Sequence, residues 1–455
     1  MRSILIIGAG KSTSSLVRFL LSESQNQNFK LIIADKNKDA AKNLASNHDR
    51  ASAMELDIFE ASEREAAIQN ADIVISMLPA RFHIEVAKDC VRFNKNMVTA
   101  SYVSKEMEAL DKEVKQKGLT FMNEIGVDPG VDHMSAMQVI DRIRSKGGKM
   151  LLFESFTGGL VAPESDDNLW NYKFTWNPRN VVVAGQGGAA EFIQEGQYKY
   201  IPYQRLFRRT EFLQIPKYGR FEGLANRNSL AYRSIYGLED IPTLYRGTLR
   251  RIGFSKAWNV FVQLGMTDDT YSMQNTETMS YRSFINSFLP YSPTDSVELK
   301  LRLSLKIDQD DLIWDKLVEL DLFNSEKKIG IKEATPAQAL QKILEDKWTL
   351  KPEDKDMIVM YHKFGYEIDG EKKQIDSTMV SIGEDQTYTA MAKTVGLPVG
   401  IATVKILNGE ISKPGVLRPI HPEVYNPILK ALEDYDIKFE ETNREYLGYN
   451  PDQLT

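Results

Sequence analysis

Thiols are nearly absent from this chain: its 455 residues include one cysteine, Cys90. One thiol permits no internal disulfide and no zinc site built from several thiolates, and such scarcity fits a reducing compartment. Histidine is sparse too. The five, His48, His83, His133, His362 and His421, are scattered without metal-ligand spacing, so no metal is expected. Blocks of like charge are missing. The 57 basic and 63 acidic residues leave a net charge of −6 without clustering, whereas nucleic-acid and membrane-surface proteins need a concentrated basic face. The expected partner is a small molecule. The longest apolar run near the start, Ile4 to Ile7, is far shorter than a signal-peptide core or a membrane span, so a cytoplasmic location is expected. Internal repeats and low-complexity stretches are also lacking. What remains is an ordinary soluble chain of two or three domains.

What is present begins with buried strands. Ile4 to Ile7 is apolar without alternation, as a strand covered on both faces of a parallel sheet should be, and it runs into Gly8-Ala9-Gly10. Leu16, Val17, Leu20 and Leu21 then recur at helical spacing, and Leu31 to Ala34 reads as a second buried strand closed by Asp35. Further strands are expected at Ala71–Ser76, Asn96–Ala100 and Leu119–Asn123, with helices between them. Residues 1–130 therefore read as a Rossmann-type, doubly wound α/β sheet. From about Lys149 the texture turns to mixed β and loop, dense in aromatics. Trp170, Trp176, Tyr198, Tyr200 and Tyr203 suit either a core or a homodimer interface. Residues 256–355 return to helical spacing and read as a mostly helical insert. Residues 131–255 and 356–388 form the expected α+β substrate domain. A helix from Thr389 to Val395, closed near Gly396 and Pro398, and a strand at Ile401–Leu407 complete the reading.

The glycine turn resembles a dinucleotide fingerprint, whose first glycine makes the tight turn and whose second lets backbone approach a pyrophosphate at a helix start. Gly8 and Gly10 fill these places, Thr13 stands where a third glycine is usual, and Lys11 and Ser12 lie between. The alternative, a phosphate-binding P-loop, fails because Leu5 stands where that loop needs a glycine. Asp35, at the end of the second strand, suits the ribose 2′-hydroxyl of NAD and would repel the 2′-phosphate of NADP, although Lys36 beside it has the opposite charge. Asp35 also fits a plain turn.

Ligands of open parallel sheets bind beyond the carboxyl ends of the strands. Three such ends carry polar groups. Ser76-Met77-Leu78-Pro79 follows the third expected strand, and Ser101-Tyr102-Val103-Ser104 follows the fourth, with two hydroxyls and a phenol. Glu124 to His133 follows the fifth, where Asp128, Asp132 and His133 could provide acid/base groups or simply a Pro-Gly turn and a helix cap.

With Glu124 to His133 the chain resembles the saccharopine dehydrogenase family, in its glutamate-forming branch. The likeness continues through Thr99 to Ser104, Gly158-Gly159-Leu160, Ala162 to Ser165, Tyr172 to Trp176, Asn226-Arg227, Arg246 to Arg250, Ala390 to Lys393, and on to Gly415-Val416-Leu417. It implies nicotinamide-dependent oxidation of the secondary amine of saccharopine, then hydrolysis to L-glutamate and 2-aminoadipate 6-semialdehyde, or the reverse. It also implies that residues 389–425 return to the dinucleotide domain.

The resemblance carries roles onto named positions. Arg227, Arg246, Gly247 and Thr248 would hold substrate carboxylates, with Ser101 and Tyr102, while Asp128 would contact the substrate amine. For proton transfer it leaves Asp128, Tyr102, Lys173 and His133 as candidates, with Asp128 preferred. The implied cofactor-contacting set adds Asp57, Ile58, Met77, Leu78, Val127, Pro129, Gly130, Val131, Tyr172, Phe174 and Thr175 to Gly8, Gly10, Lys11, Ser12, Thr13, Asp35 and Lys36. Two departures stand out. NADPH-using members tend to carry a basic residue where this chain has Asp35, which favours NAD, with NADP the alternative. Fungal relatives have a cysteine where this chain has Thr157. Competing readings are a related amine dehydrogenase, such as lysine 6-dehydrogenase or carboxynorspermidine dehydrogenase, with fewer carboxylates to bind, and a nucleotide-sensing protein without chemistry.

Overall fold

Apolar runs without alternation do become the centre of a parallel sheet. A computed structural model describes residues 1–446 and 448. Its strands are β1 (Arg2–Ile7), β2 (Phe29–Asp35), β3 (Ala51–Glu55), β4 (Ile73–Ser76), β5 (Asn96–Val98), β6 (Thr120–Met122), β7 (Lys149–Val161), β8 (Ala190–Gln194), β9 (Gln197–Ile201), β10 (Glu211–Ile215), β11 (Gly219–Ala225), β12 (Thr243–Arg251), β13 (Asp356–Ile368), β14 (Glu371–Ile382), β15 (Gly415–Leu417) and β16 (Glu440–Glu445). The chain divides into two units. One comprises Met1–Lys149 with Met379–Glu441, the other Met150–Thr378 with the described residues from Thr442 onward.

The first unit is built on a seven-stranded sheet in the order β15-β6-β5-β4-β1-β2-β3, and the paired strands are parallel throughout. The order reverses between β1 and β4, the point at which such sheets bind ligands. Ile4, Leu5, Ile6, Ile73, Val74 and Ile75 are fully buried. Strand β3 escaped the sequence reading because its residues, Ala-Ser-Ala-Met-Glu, lie at a half-exposed edge and lack an apolar run.

Two expectations are corrected here. The region expected to end as a helix at Val395 and resume as a strand at Ile401 is one helix, Ala390–Leu407, with Pro398 inside it. Proline normally breaks a helix because it lacks an N–H and crowds the preceding turn. Packing overrides that cost. Most of the segment is buried on every side, and it lies against the helix Ser14–Ser24. Its glycines allow the close approach: a Cβ on Gly396 would stand 2.7 Å from the backbone nitrogen of Leu16, and one on Gly400 2.5 Å from the Phe19 ring. They are contact residues and not a helix end. Gly396→Ala, although it gains helix propensity, should therefore destabilise the protein by about 1 to 3 kcal/mol through overpacking, measured by urea unfolding. An unchanged midpoint would show that the helices part freely. This helix has the length and hydropathy of a membrane span, but 72% of its apolar window is buried within the protein.

The second correction concerns boundaries. The helix Val131–Ser145 belongs to the first unit, and the helical region 256–355 is part of the second unit and not a separate body. The second unit carries a nine-stranded sheet. Its main path runs β10-β11-β12-β7-β13-β14-β16, with β8 and β9 joined to it through β12.

Candidate active site

In the first unit, every polar strand end singled out from sequence lies along the carboxyl edge of the parallel sheet. Gly8 follows β1 with φ of +113°, and its missing side chain is required: a Cβ there would lie 2.7 Å from the carbonyl oxygen of Met77. Thus Met77 and Leu78, after β4, lie beside the glycine turn. Gly10 is exposed and faces open space, with no atom within 4 Å of a Cβ built on it. Thr13 replaces the usual third glycine by closing the turn itself, its hydroxyl donating to the Gly8 carbonyl at 3.1 Å. Lys11 is exposed and Ser12 half-buried at the start of the helical segment. An open cradle over a glycine turn at the switch point fits a pyrophosphate.

Asp35 does not stand free at the end of β2. Its Oδ2 accepts the Ala9 N–H and its Oδ1 the Asn37 N–H, both at 2.7 Å. The carboxylate braces the glycine turn. Lys36 pairs with Asp57 at 2.8 Å, and Ile58 is buried beyond it.

Beyond β5 and β6 the chain forms a connected polar cluster. Glu124, with φ of +54°, is the hub: Oε1 accepts the Val103 N–H at 3.0 Å and Arg418 Nε at 2.9 Å, and Oε2 meets His133 Nε2 at 2.9 Å. Burial alone would raise this carboxyl. The hydrogen bond and charge of His133, with the Val103 N–H and Arg418, hold it below the ordinary carboxylate range. His133 is thus a structural partner, buried and also 3.5 Å from Asp132. Gly130, with φ of +147°, folds back so tightly that a Cβ would overlap Gly126, and its N–H donates to Asp132. Asp128 precedes a cis peptide to Pro129. Asp128 is half-exposed and accepts a hydrogen bond from the Tyr102 hydroxyl at 3.3 Å, whereas Val127, Pro129, Gly130 and Val131 around it are buried.

The second unit holds both Arg227 and Arg246. Ala225 pairs with Gly247 across β11 and β12, and the Asn226 N–H donates to the Arg246 carbonyl at 2.9 Å, so Arg227 follows the residue that faces Arg246. Arg227 is exposed with φ of +43°, while Arg246 is 6% exposed, its guanidinium 4.2 Å from the centre of the Tyr232 ring. Gly247 has no room for a side chain, because Phe156 would lie 2.4 Å away. Thr248 pairs with Thr157 on β7, whose buried hydroxyl has no partner. Strand alternation places Arg250 on the same face as Arg246 and Thr248.

Four expected site residues are buried in the second unit. Lys173 is 1% exposed and ion-paired with Asp354 at 2.7 Å and Asp167 at 2.8 Å. Despite partial burial, Lys173 and Lys351 hold Asp167 down at about 2. Tyr172 and Phe174 are core residues, their rings packed on Trp348, and Tyr172 also on Phe254. Thr175 is 2% exposed. Trp170 belongs to the same core, while Tyr198 and Tyr200 are exposed. Two residues of the cluster went unnoticed in sequence: Arg418, which reaches Glu124 across 294 positions, and His83.

Residues 4–122 match the family model for the saccharopine dehydrogenase NADP binding domain, and residues 126–437 that for the saccharopine dehydrogenase C-terminal domain. The chain is 32% identical over 440 residues to the NADP(+), L-glutamate-forming saccharopine dehydrogenase of Saccharomyces cerevisiae, covering 95% of this chain and 97% of that one. It is 33% identical to the mitochondrial alpha-aminoadipic semialdehyde synthase of Rattus norvegicus, covering 96% of this chain and 47% of that longer protein. Among solved structures, the apo L-Glu-forming saccharopine dehydrogenase of Saccharomyces cerevisiae superposes with a TM-score of 0.88 at 31% identity, covering 98% of this chain and 100% of that one.

Proposed function

This chain belongs to the saccharopine dehydrogenase family, and we propose that it oxidises saccharopine at its secondary amine to give L-glutamate and 2-aminoadipate 6-semialdehyde, or runs that reaction in reverse. The observation that carries this reading is full-length likeness to glutamate-forming relatives, and the second unit adds two arginines, the exposed Arg227 and the buried Arg246, as candidate carboxylate partners. A guanidinium holds a carboxylate through two parallel hydrogen bonds, and saccharopine has three carboxylates to hold.

A nicotinamide dinucleotide would supply the hydride acceptor. Gly8, Gly10, Lys11, Ser12 and Thr13 would hold its pyrophosphate, with Met77 and Leu78 beneath. We assign the preferred cofactor as NADP, because the first domain matches a family model for NADP binding and the relatives are NADP(+) enzymes by name. Asp128 is the acid/base group of this reading: half-exposed and hydrogen-bonded to Tyr102, it takes the proton from the amine and releases it to solvent, then takes one from the attacking water and passes it to the departing glutamate nitrogen. Tyr102 orients its carboxylate. The balance is saccharopine, water and oxidised cofactor giving the two products, reduced cofactor and a proton.

Initial rates of reduced-nicotinamide absorbance with saccharopine, supplying NADP and NAD in parallel, test this. Turnover favouring NADP is expected. No turnover with either, when cofactor binding is demonstrated, would overturn the assignment. Gly10→Ala gives a separate prediction, since its backbone conformation and surroundings admit a methyl group. Melting should be unchanged within about 0.5 kcal/mol, while cofactor KM rises about tenfold because the methyl occupies the pyrophosphate approach. An unchanged cofactor KM would remove Gly10 from the site.

A further inference from the structure

Ser76, His83 and Ser101 form a hydrogen-bonded chain within the first unit. The Ser76 hydroxyl lies 2.7 Å from His83 Nδ1, and the Ser101 hydroxyl 2.6 Å from His83 Nε2. Adjacent parallel strands bring the three together: Ser76 ends β4, His83 opens the helix that follows, and Ser101 lies just beyond β5, which pairs with β4. Nothing assigned above uses this histidine.

A neutral imidazole has one donor and one acceptor nitrogen, so the chain has a direction. Ser76 is fully buried, and its hydroxyl has no second partner among the described residues. If Nδ1 carried the proton, Ser76 would accept it and its own O–H would be buried without an acceptor. The opposite direction leaves nothing unsatisfied: Ser76 donates to Nδ1, and the Nε2–H donates to Ser101. Ser101 is half-exposed, and with its oxygen engaged by the ring its own O–H points elsewhere. Its backbone is fixed as well, because the Ser101 carbonyl accepts the Glu124 N–H at 3.0 Å.

We infer that His83 is a positioning residue, which fixes the Ser101 hydroxyl as a hydrogen-bond donor to a carboxylate of the substrate. This inference rests on the reading of the chain as a saccharopine dehydrogenase. Burial pushes the His83 ring down to about 4, so it remains neutral near pH 7 and keeps one donor and one acceptor.

Nitrogen NMR of protein labelled with 15N-histidine, with His83→Gln to assign the signal, reads the tautomer without any substrate. The expected result is a protonated Nε2 and a bare Nδ1 at pH 7; the opposite tautomer or a charged ring overturns the inference. In steady-state assays, Ser101→Ala and His83→Gln should each raise saccharopine KM about tenfold, as for one hydrogen bond to a charged group. The changes in kcat should be smaller, and the double variant should be no worse than the worse single one. Additive losses, or an unchanged KM in either folded variant, also overturn it. Should His83→Gln fail to fold, Ser76→Ala assigns the signal instead, because losing the hydroxyl that donates to Nδ1 should shift that nitrogen's resonance while the proton stays on Nε2; an unmoved Nδ1 resonance would contradict the role given to Ser76. Wild-type turnover measured alongside separates failure of this inference from failure of the parent reading.

Discussion

Replacing Arg246 by alanine should raise KM for saccharopine about 100-fold while changing kcat much less. The expectation follows from where the guanidinium lies. Arg246 is 6% exposed, stacked over Tyr232 and backed by the β11–β12 ladder, so a carboxylate bound there is shielded from water. Charge-assisted hydrogen bonds in such a place contribute about 1.5 to 3 kcal/mol each way they are measured, and 2.8 kcal/mol is about 100-fold. Lysine should recover only part of the loss, because an ammonium lacks the planar fork. The ladder itself should survive, since its bonds at this position are backbone ones, from Asn226 N–H to the Arg246 carbonyl and from Arg246 N–H to the Ser229 hydroxyl. Steady-state kinetics over a wide saccharopine range checks the prediction. A KM within twofold of the parent would take Arg246 out of the substrate site.

The second large effect is on stability. Glu124→Gln keeps the shape of the hub but removes its charge, leaving Arg418 and His133 facing a neutral amide in a buried setting. Breaking a buried pair in this way costs about 3 kcal/mol or more. For a unit of this size that lowers the melting temperature by on the order of 10 °C. The acid side of the stability profile should change as well. Because the folded state holds the Glu124 carboxyl below its ordinary value of 4.5, the group contributes stability that is fully present above that pH and is lost as pH falls through the lower folded value. The Gln variant should therefore be less stable at neutral pH and lose less on acidification. Thermal melts at several pH values read both. Equal melting temperatures at neutral pH would show that the Glu124 cluster does not hold the loop of Ser101 to Val103.

Where the sequence was legible, the reason was local. Ile4 to Ile7 needs no partner information to read as a buried strand, and Gly8, with Met77 pressed against it, marks the tight turn that only glycine allows. The strand ends were legible for the same reason, and they do converge on one edge of the sheet. What sequence could not show was pairing at a distance. Lys173 reads as a lone cation until Asp354, 181 positions away, is seen to pair with it. His83 reads as scattered until β4 and β5 lie side by side. Pro398 reads as a helix end because the contact that overrides it, Gly396 against Leu16, belongs to another helix. Asp35 is a further case: its place at the strand end was legible, but the Ala9 and Asn37 N–H groups that its carboxylate accepts were not.

The most direct test of the central claim is the identity of what leaves the enzyme. Purified protein given saccharopine and NADP should release L-glutamate and an aldehyde, each in one-to-one proportion with reduced cofactor. Release of lysine and 2-oxoglutarate in that proportion would mean that the other carbon–nitrogen bond is cleaved, and would contradict the account.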